Sequence, residues 1–188
     1  MIRSGDSVVN PVTGERLVFH KTSQDTHGEY CLVETFVQPG GFVAQAHVHP
    51  YQTETFTAVQ GTLALKAGRE RIELAPGQKA VVEAGTAHKF WNPTDDTIRF
   101  MCEVRPALQF EALIETMFSL AADGKTNRKG MPNPLRLAVI ANHHFDDVRL
   151  PGIPQWMQKM GLAMGAPVGR LLGYQPSYES GAGELVLA

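Results

Sequence analysis

From Asp6 to Arg105 the chain alternates apolar and polar residues in short runs, with turn residues between the runs. The alternation predicts strands over Asp6–Asn10, Arg16–Lys21, Glu29–Gln38, Glu54–Gln60, Thr62–Lys66, Glu70–Leu74, Lys79–Glu83, His88–Asn92 and Thr97–Arg105. With the stretch around His47 and His49 the count is about ten, as an antiparallel barrel or jelly roll requires. Asn10-Pro-Val-Thr-Gly14, Pro39-Gly40-Gly41 and Ala75-Pro76-Gly77 read as turns. In the last strand Arg99, Met101 and Glu103 compete with Phe100 and Cys102 for the inner face, and parity leaves that choice open.

After Pro106 the period lengthens. Phe110, Leu113, Ile114, Met117, Phe118 and Ala121 recur at helical spacing, which predicts a helix over Leu108–Ala122. A second helix is expected over Pro134–Phe145, with its proline in the first turn. A third is expected over Gln155–Met164, with a short continuation, Val168–Leu172, after Pro167. The tail ends in a Gly-rich stretch and Leu185-Val-Leu. The predicted fold class is thus all-β, residues 1–106, followed by a C-terminal helical extension, residues 107–188.

Composition narrows the function. The 188 residues suffice for one domain with a sizeable core, or a small domain plus an extension. A net charge of −2 leaves no basic excess, so nucleic acid is not an implied partner. Two cysteines, Cys31 and Cys102, sit in apolar strands and read as buried free thiols. The N-terminus lacks signal-peptide organisation, which points to a cytoplasmic location.

The candidate chemistry lies between residues 41 and 92. Side chains at i and i+2 of a strand share a face, so His47 and His49 project together. Glu54 opens the next strand after the turn begun by Pro50, and His88 lies on a third strand. If the sheet curls, all four converge in a barrel interior. Three imidazoles and a carboxylate suit one divalent transition metal: iron, manganese, nickel, copper or zinc. Parity extends the reading: Gln45 shares the parity of His47, while Phe56, Ala58 and Phe90 fall inward and Trp91 outward. Gln45, Phe56 and Phe90 are the candidate pocket wall. His20 and His27 have no partners at ligand spacing, and His143-His144 reads as a polar helix end.

The same stretch resembles the cupin superfamily, in particular its small single-domain members. Gly41, five residues, His47-x-His49, four residues, Glu54, six residues and Gly61 match the first cupin motif at every fixed position. Gly77 to Asn92 match the second, with Glu83 where the family usually has proline. Fifteen residues separate the two motifs. The resemblance covers about residues 28–105. It implies a double-stranded β-helix in which His47, His49, Glu54 and His88 bind a metal. It further implies a metal-dependent enzyme on a small organic substrate, with dioxygenase chemistry of the quercetinase type leading and Glu54 as general base. A metal-dependent isomerase or lyase on a sugar or keto acid, and a non-catalytic ligand-binding cupin, are the rival expectations.

For the helical extension three arrangements stand open. The helices could pack on the barrel's outer face, form a homodimer interface or touch a membrane surface, since Lys159 and Arg170 flank apolar residues. Packing or a homodimer is the expectation, and a helix over the barrel mouth is compatible with the same pattern.

Overall fold

The computed structural model describes residues 2–43 and 45–180. The tail residues Leu185-Val-Leu therefore lie outside the described residues. Among the described residues nine strands form two antiparallel sheets. They are β1 (Ser7–Asn10), β2 (Glu15–Lys21), β3 (Cys31–Val37), β4 (Thr53–Gln60), β5 (Leu63–Ala67), β6 (Glu70–Leu74), β7 (Lys79–Val82), β8 (His88–Trp91) and β9 (Ile98–Arg105). The larger sheet runs β1-β2-β3-β9-β4-β7 and the smaller β6-β5-β8. This is a jelly-roll barrel. One core of buried side chains fills it, including Phe19, Val33, Phe56, Leu65 and Phe100.

Strand β9 resolves the parity that alternation leaves open. It lies between β3 and β4, with Cys102 opposite both Val33 and Phe56, and Phe100 opposite both Thr35 and Ala58. Ile98, Phe100, Cys102 and Val104 are buried. On the other face Arg99 bonds Glu34 at 3.2 Å. On that outer face Arg99, Met101 and Glu103 are half-buried.

Two turns show why glycine closes this barrel. Gly61 ends β4 at φ +72°, where a side chain is strained, and a Cβ there would stand 2.7 Å from Ile98 Cγ2. At Gly41 a Cβ would meet Val37 Cγ1 at 2.6 Å and two backbone oxygens at 2.9 Å. Asn92, the last fixed residue of the second motif, is structural. Its amide donates to Val37 O and Asp96 O, and its oxygen accepts from the Thr94 amide and hydroxyl.

The described residues of the extension hold three helices: α1 (Phe110–Ala122), α2 (Pro134–His143) and α3 (Gln155–Leu171). Asn133 caps α2 by accepting from Arg136 N at 3.0 Å. The third helix corrects the expected break, because Pro167 lies inside a continuous α3. Proline removes one helical hydrogen bond, but packing supplies the compensation. A Cβ on Gly165 would sit 3.0 Å from Ala138 Cβ, and one on Gly169 would sit 2.6 Å from Leu135 O, so α3 lies almost backbone-to-backbone on α2.

Ile114 and Met117 of α1 pack against the barrel core. Buried Gln52 donates to Pro106 O at 3.1 Å and Ala107 O at 2.9 Å, fastening the start of the extension. Val48 and Arg149 exchange both backbone hydrogen bonds at 2.9 Å, fastening the segment after α2. Between barrel and helices lies a cavity of about 530 Å³.

Candidate metal centre

The structure brings His47, His49, Glu54 and His88 together at one end of this cavity, with one donor atom from each inside a 4.8 Å span. Strand β4 presents Glu54 and β8 presents His88. His47 and His49 come from the segment before β4, which pairs only through single bridges, His47 with His88 and Val48 with Arg149, rather than as a regular strand. The i, i+2 relation still sends both imidazoles inward.

Each imidazole is fixed by the same device. Nδ1 of His47 donates to Gln45 O at 2.7 Å, that of His88 to Thr86 O at 3.0 Å, and that of His49 to Asp147 O at 2.6 Å. A carbonyl oxygen only accepts, so each Nδ1 carries the hydrogen and each Nε2 of a neutral ring keeps its lone pair. His88 Nε2 stands 2.5 Å from Glu54 Oε2, and His49 Nε2 stands 3.7 Å from Glu54 Oε1. His88 Nε2 and Glu54 Oε2 are buried, and their orientation satisfies neither as a hydrogen bond. Two electron-rich atoms this close need a shared cation, which a proton on His88 or a metal ion can supply.

The electrostatics agree. Burial, together with His49 and His88, pushes the His47 imidazole down to about 3, so it is neutral at ordinary pH. Burial alone would raise the Glu54 carboxyl, but His49, His88 and His47 outweigh it and hold the group at about 2. Burial disfavours charge on His88, yet the contact with Glu54 is stronger and its pKa is raised. The cluster therefore sets an ionised Glu54 carboxylate between a neutral His47 and a His88 whose proton that carboxylate favours. A metal fits such a set: ligand distances near 2.1 Å place donors across a metal roughly 4.2 Å apart, close to the span seen here.

The cavity that receives these groups is largely apolar. Gln45, Phe56 and Phe90 line it, as do Phe100 and Cys102, with α1, α2 and α3 on the far side. Phe90 and Phe100 meet edge-to-face at 5.2 Å between ring centres. Three contributors escape sequence reasoning. Cys102 offers its thiol to Glu54 Oε1 at 3.8 Å, and burial raises its pKa so that it stays S–H. Asp147 holds His49 through its carbonyl, while its carboxylate accepts from His144 Nδ1 at 2.8 Å and Gln109 N at 3.1 Å. His144 is thus buried in this support and not a second metal site. Cys31 and Cys102 are both buried and free, as expected.

His20 pairs with Glu34 at 3.0 Å, away from the cluster. Among the described residues no helix is long and apolar enough to cross a membrane.

No curated protein matches the chain. Solved structures similar to it include a predicted oxalate decarboxylase from Thermotoga maritima, 14% identical, with 56% of this chain and 98% of that one covered at a TM-score of 0.49. KdgF from Halomonas sp. is 17% identical, with 56% and 91% covered at 0.49. A sugar phosphate isomerase of the cupin superfamily from Silicibacter pomeroyi is 21% identical, with 53% and 68% covered at 0.45. The family model of the cupin domain matches residues 33–104, which carry the whole His-His-Glu-His cluster. Those residues form a cupin domain.

Proposed function

We propose that His47, His49, Glu54 and His88 hold one divalent transition metal, and that the chain is a metal-dependent enzyme acting on a small, largely apolar organic substrate. One observation carries this reading: three imidazoles with Nδ1 tied to carbonyls turn their Nε2 atoms, beside a carboxylate, toward one end of an apolar cavity. Backbone support of this kind sets tautomer and ring orientation for metal ligation. Iron, manganese, nickel, copper or zinc suits the donors. A bound metal would supply Lewis acidity and open coordination positions.

Dioxygenase-type chemistry on an enol or phenol is the leading reaction. The cavity volume of about 530 Å³ accommodates a substrate of one to a few rings. Phe56, Phe90 and Phe100 offer ring faces and edges against which such a substrate packs. Glu54 accepts the proton of the substrate hydroxyl.

The test is elemental analysis of the purified chain beside the His47→Ala/His88→Ala variant. About one equivalent of iron, manganese, copper or nickel, absent from the variant, together with oxygen uptake on candidate phenols, is the expected result. A full equivalent of zinc without oxygen uptake would replace the oxygenase by an isomerase, lyase or binding role. No metal in either protein after reconstitution would overturn the metal reading.

A further inference from the structure

The cavity has a second polar end. Asn10, Glu15 and Thr35 line it and are only 2%, 5% and 3% exposed. Strand pairing puts them together. Asn10 is the partner of Glu15 across β1 and β2, and Thr35, opposite Leu17, is the diagonal neighbour of Glu15 on the same face. Pairing also sets their separation from the His-His-Glu-His cluster. Thr35 stands opposite Phe100 of β9, and Glu15 stands opposite Val37, which faces Ile98. Glu54 stands opposite Val104, at the other end of the same strand. Four to six residues along β9 separate the two polar ends, roughly 13–20 Å.

Each of the three keeps a polar atom free. Asn10 Oδ1 accepts from Val12 N at 3.0 Å and Thr13 N at 3.2 Å, which leaves Nδ2 without a partner among the described residues. The Thr13 hydroxyl donates to Glu15 Oε2 at 2.6 Å, and no described residue bonds Oε1. The Thr35 hydroxyl bonds none of them either, and it opens on the cavity. A buried polar atom without a partner costs free energy until something polar meets it. Burial pushes the Glu15 carboxyl up to about 7, and with Oε2 held by Thr13 its proton sits on Oε1. An amide N–H, a carboxyl O–H and a hydroxyl then stand side by side as donors. They suit an uncharged oxygen. An ammonium group would meet the Asn10 N–H groups, and a carboxylate would bring a second acid beside Glu15 in a buried site.

We propose that Asn10, Glu15 and Thr35 form a second binding subsite, which takes a hydroxyl or carbonyl oxygen at the far end of an elongated substrate whose other end reaches the cluster. The apolar side chains of Leu17, Phe56 and Phe100 line the same cavity and cover the ring system that joins the two ends. That the near end binds through a metal rests on the function proposed above. The subsite itself does not.

Calorimetric titration at about pH 6 with para,para′-dihydroxystilbene and para-hydroxystilbene tests the proposal. The first probe carries an oxygen at each end, the second at one end alone. The metal-loaded chain should bind the first about tenfold more tightly or better. Thr35→Val and Glu15→Leu should each cut that preference to roughly threefold or less, while affinity for para-hydroxystilbene stays as in the parent and shows the cavity intact. Glu15→Gln keeps a donor and should retain most of the preference. In the His47→Ala/His88→Ala chain, which lacks the cluster end, para-hydroxystilbene should still bind better than stilbene, and Thr35→Val should remove that margin. Three results would overturn the subsite and leave its side chains to bound water: equal binding of the two hydroxylated probes by the parent, binding of neither, or a preference that survives Thr35→Val and Glu15→Leu unchanged. A chain that takes up no metal yet prefers para-hydroxystilbene to stilbene would sink the metal reading and leave the subsite standing.

Discussion

His47 and His88 are oriented by carbonyls two residues before them, at Gln45 and Thr86, whereas His49 is oriented by Asp147, 98 residues away. Two of the three imidazoles are therefore set by the barrel's own local geometry, and the third by the helical extension. The barrel supplies the donor atoms, and the extension supplies one ligand's orientation and much of the cavity wall. A cluster whose ligands all come from one region can still depend on another for its alignment.

The strongest way to break this division is to loosen the backbone at Asp147. Its buried carboxylate accepts from His144 and from the part-buried Gln109 amide, so Asp147→Ala keeps the carbonyl that holds His49 but removes what anchors it and leaves His144 Nδ1 buried without a partner. A buried donor left unsatisfied costs about 1–3 kcal/mol, and a displaced carbonyl behind a metal ligand should weaken binding at the lower end of about 10- to 100-fold. Urea unfolding should register the first effect, and competition with a chelator the second. Unchanged metal affinity in a correctly folded Asp147→Ala chain would show that the carbonyl keeps its place without the carboxylate.

The same contrast explains what is legible in the sequence. His47, His49, Glu54 and His88 fall within 42 residues at strand spacing, and strands place side chains by parity, so the cluster can be read from the order of residues alone. The contact between His49 and Asp147 leaves no such trace, because nothing local to Asp147 distinguishes a ligand's support from a helix end. Cys102 is hidden for another reason. Both faces of β9 carry apolar residues, and its inner face is chosen by pairing with β3 and β4, not by its own pattern. The helices' place over the barrel stays open in the sequence for a third reason: amphipathic spacing shows which face is buried but not against what.

A second prediction sharpens the comparison from the barrel's side. Glu15 lines the cavity, accepts from the Thr13 hydroxyl at 2.6 Å, and is pushed by burial from 4.5 to about 7. Between those values the folded chain holds a proton that the unfolded chain has released. Glu15's contribution to stability should therefore fall as pH rises from about 4.5 to about 7 and level off above. Glu15→Gln keeps an acceptor for Thr13 and removes the titration. The stability difference between variant and parent, read from urea unfolding, should therefore widen from pH 5 to pH 8, where the variant should gain on the order of 3 kcal/mol. A difference that does not change across that range would show that Glu15 titrates alike in the folded and unfolded chains.

The smallest expected effect lies in the extension, at Pro167. Proline should interrupt a helix, yet α3 runs through it, because contact of Gly165 and Gly169 with α2 holds both halves in one line. Pro167→Ala should therefore leave the helix path unchanged and restore a backbone donor toward Ala163 O. In a free helix the exchange is worth about 3 kcal/mol. Here the helix has already accommodated proline, so a gain of about 1 kcal/mol is expected, read as a rise of a few degrees in Tm. Metal content should not change, since Pro167 is not among the residues that line the cavity holding the cluster. A loss of stability would instead show that proline's fixed φ, by restricting the unfolded chain, contributes more than the missing hydrogen bond costs. The packing of α3 on α2 would then be the stronger of the two forces that shape the helix.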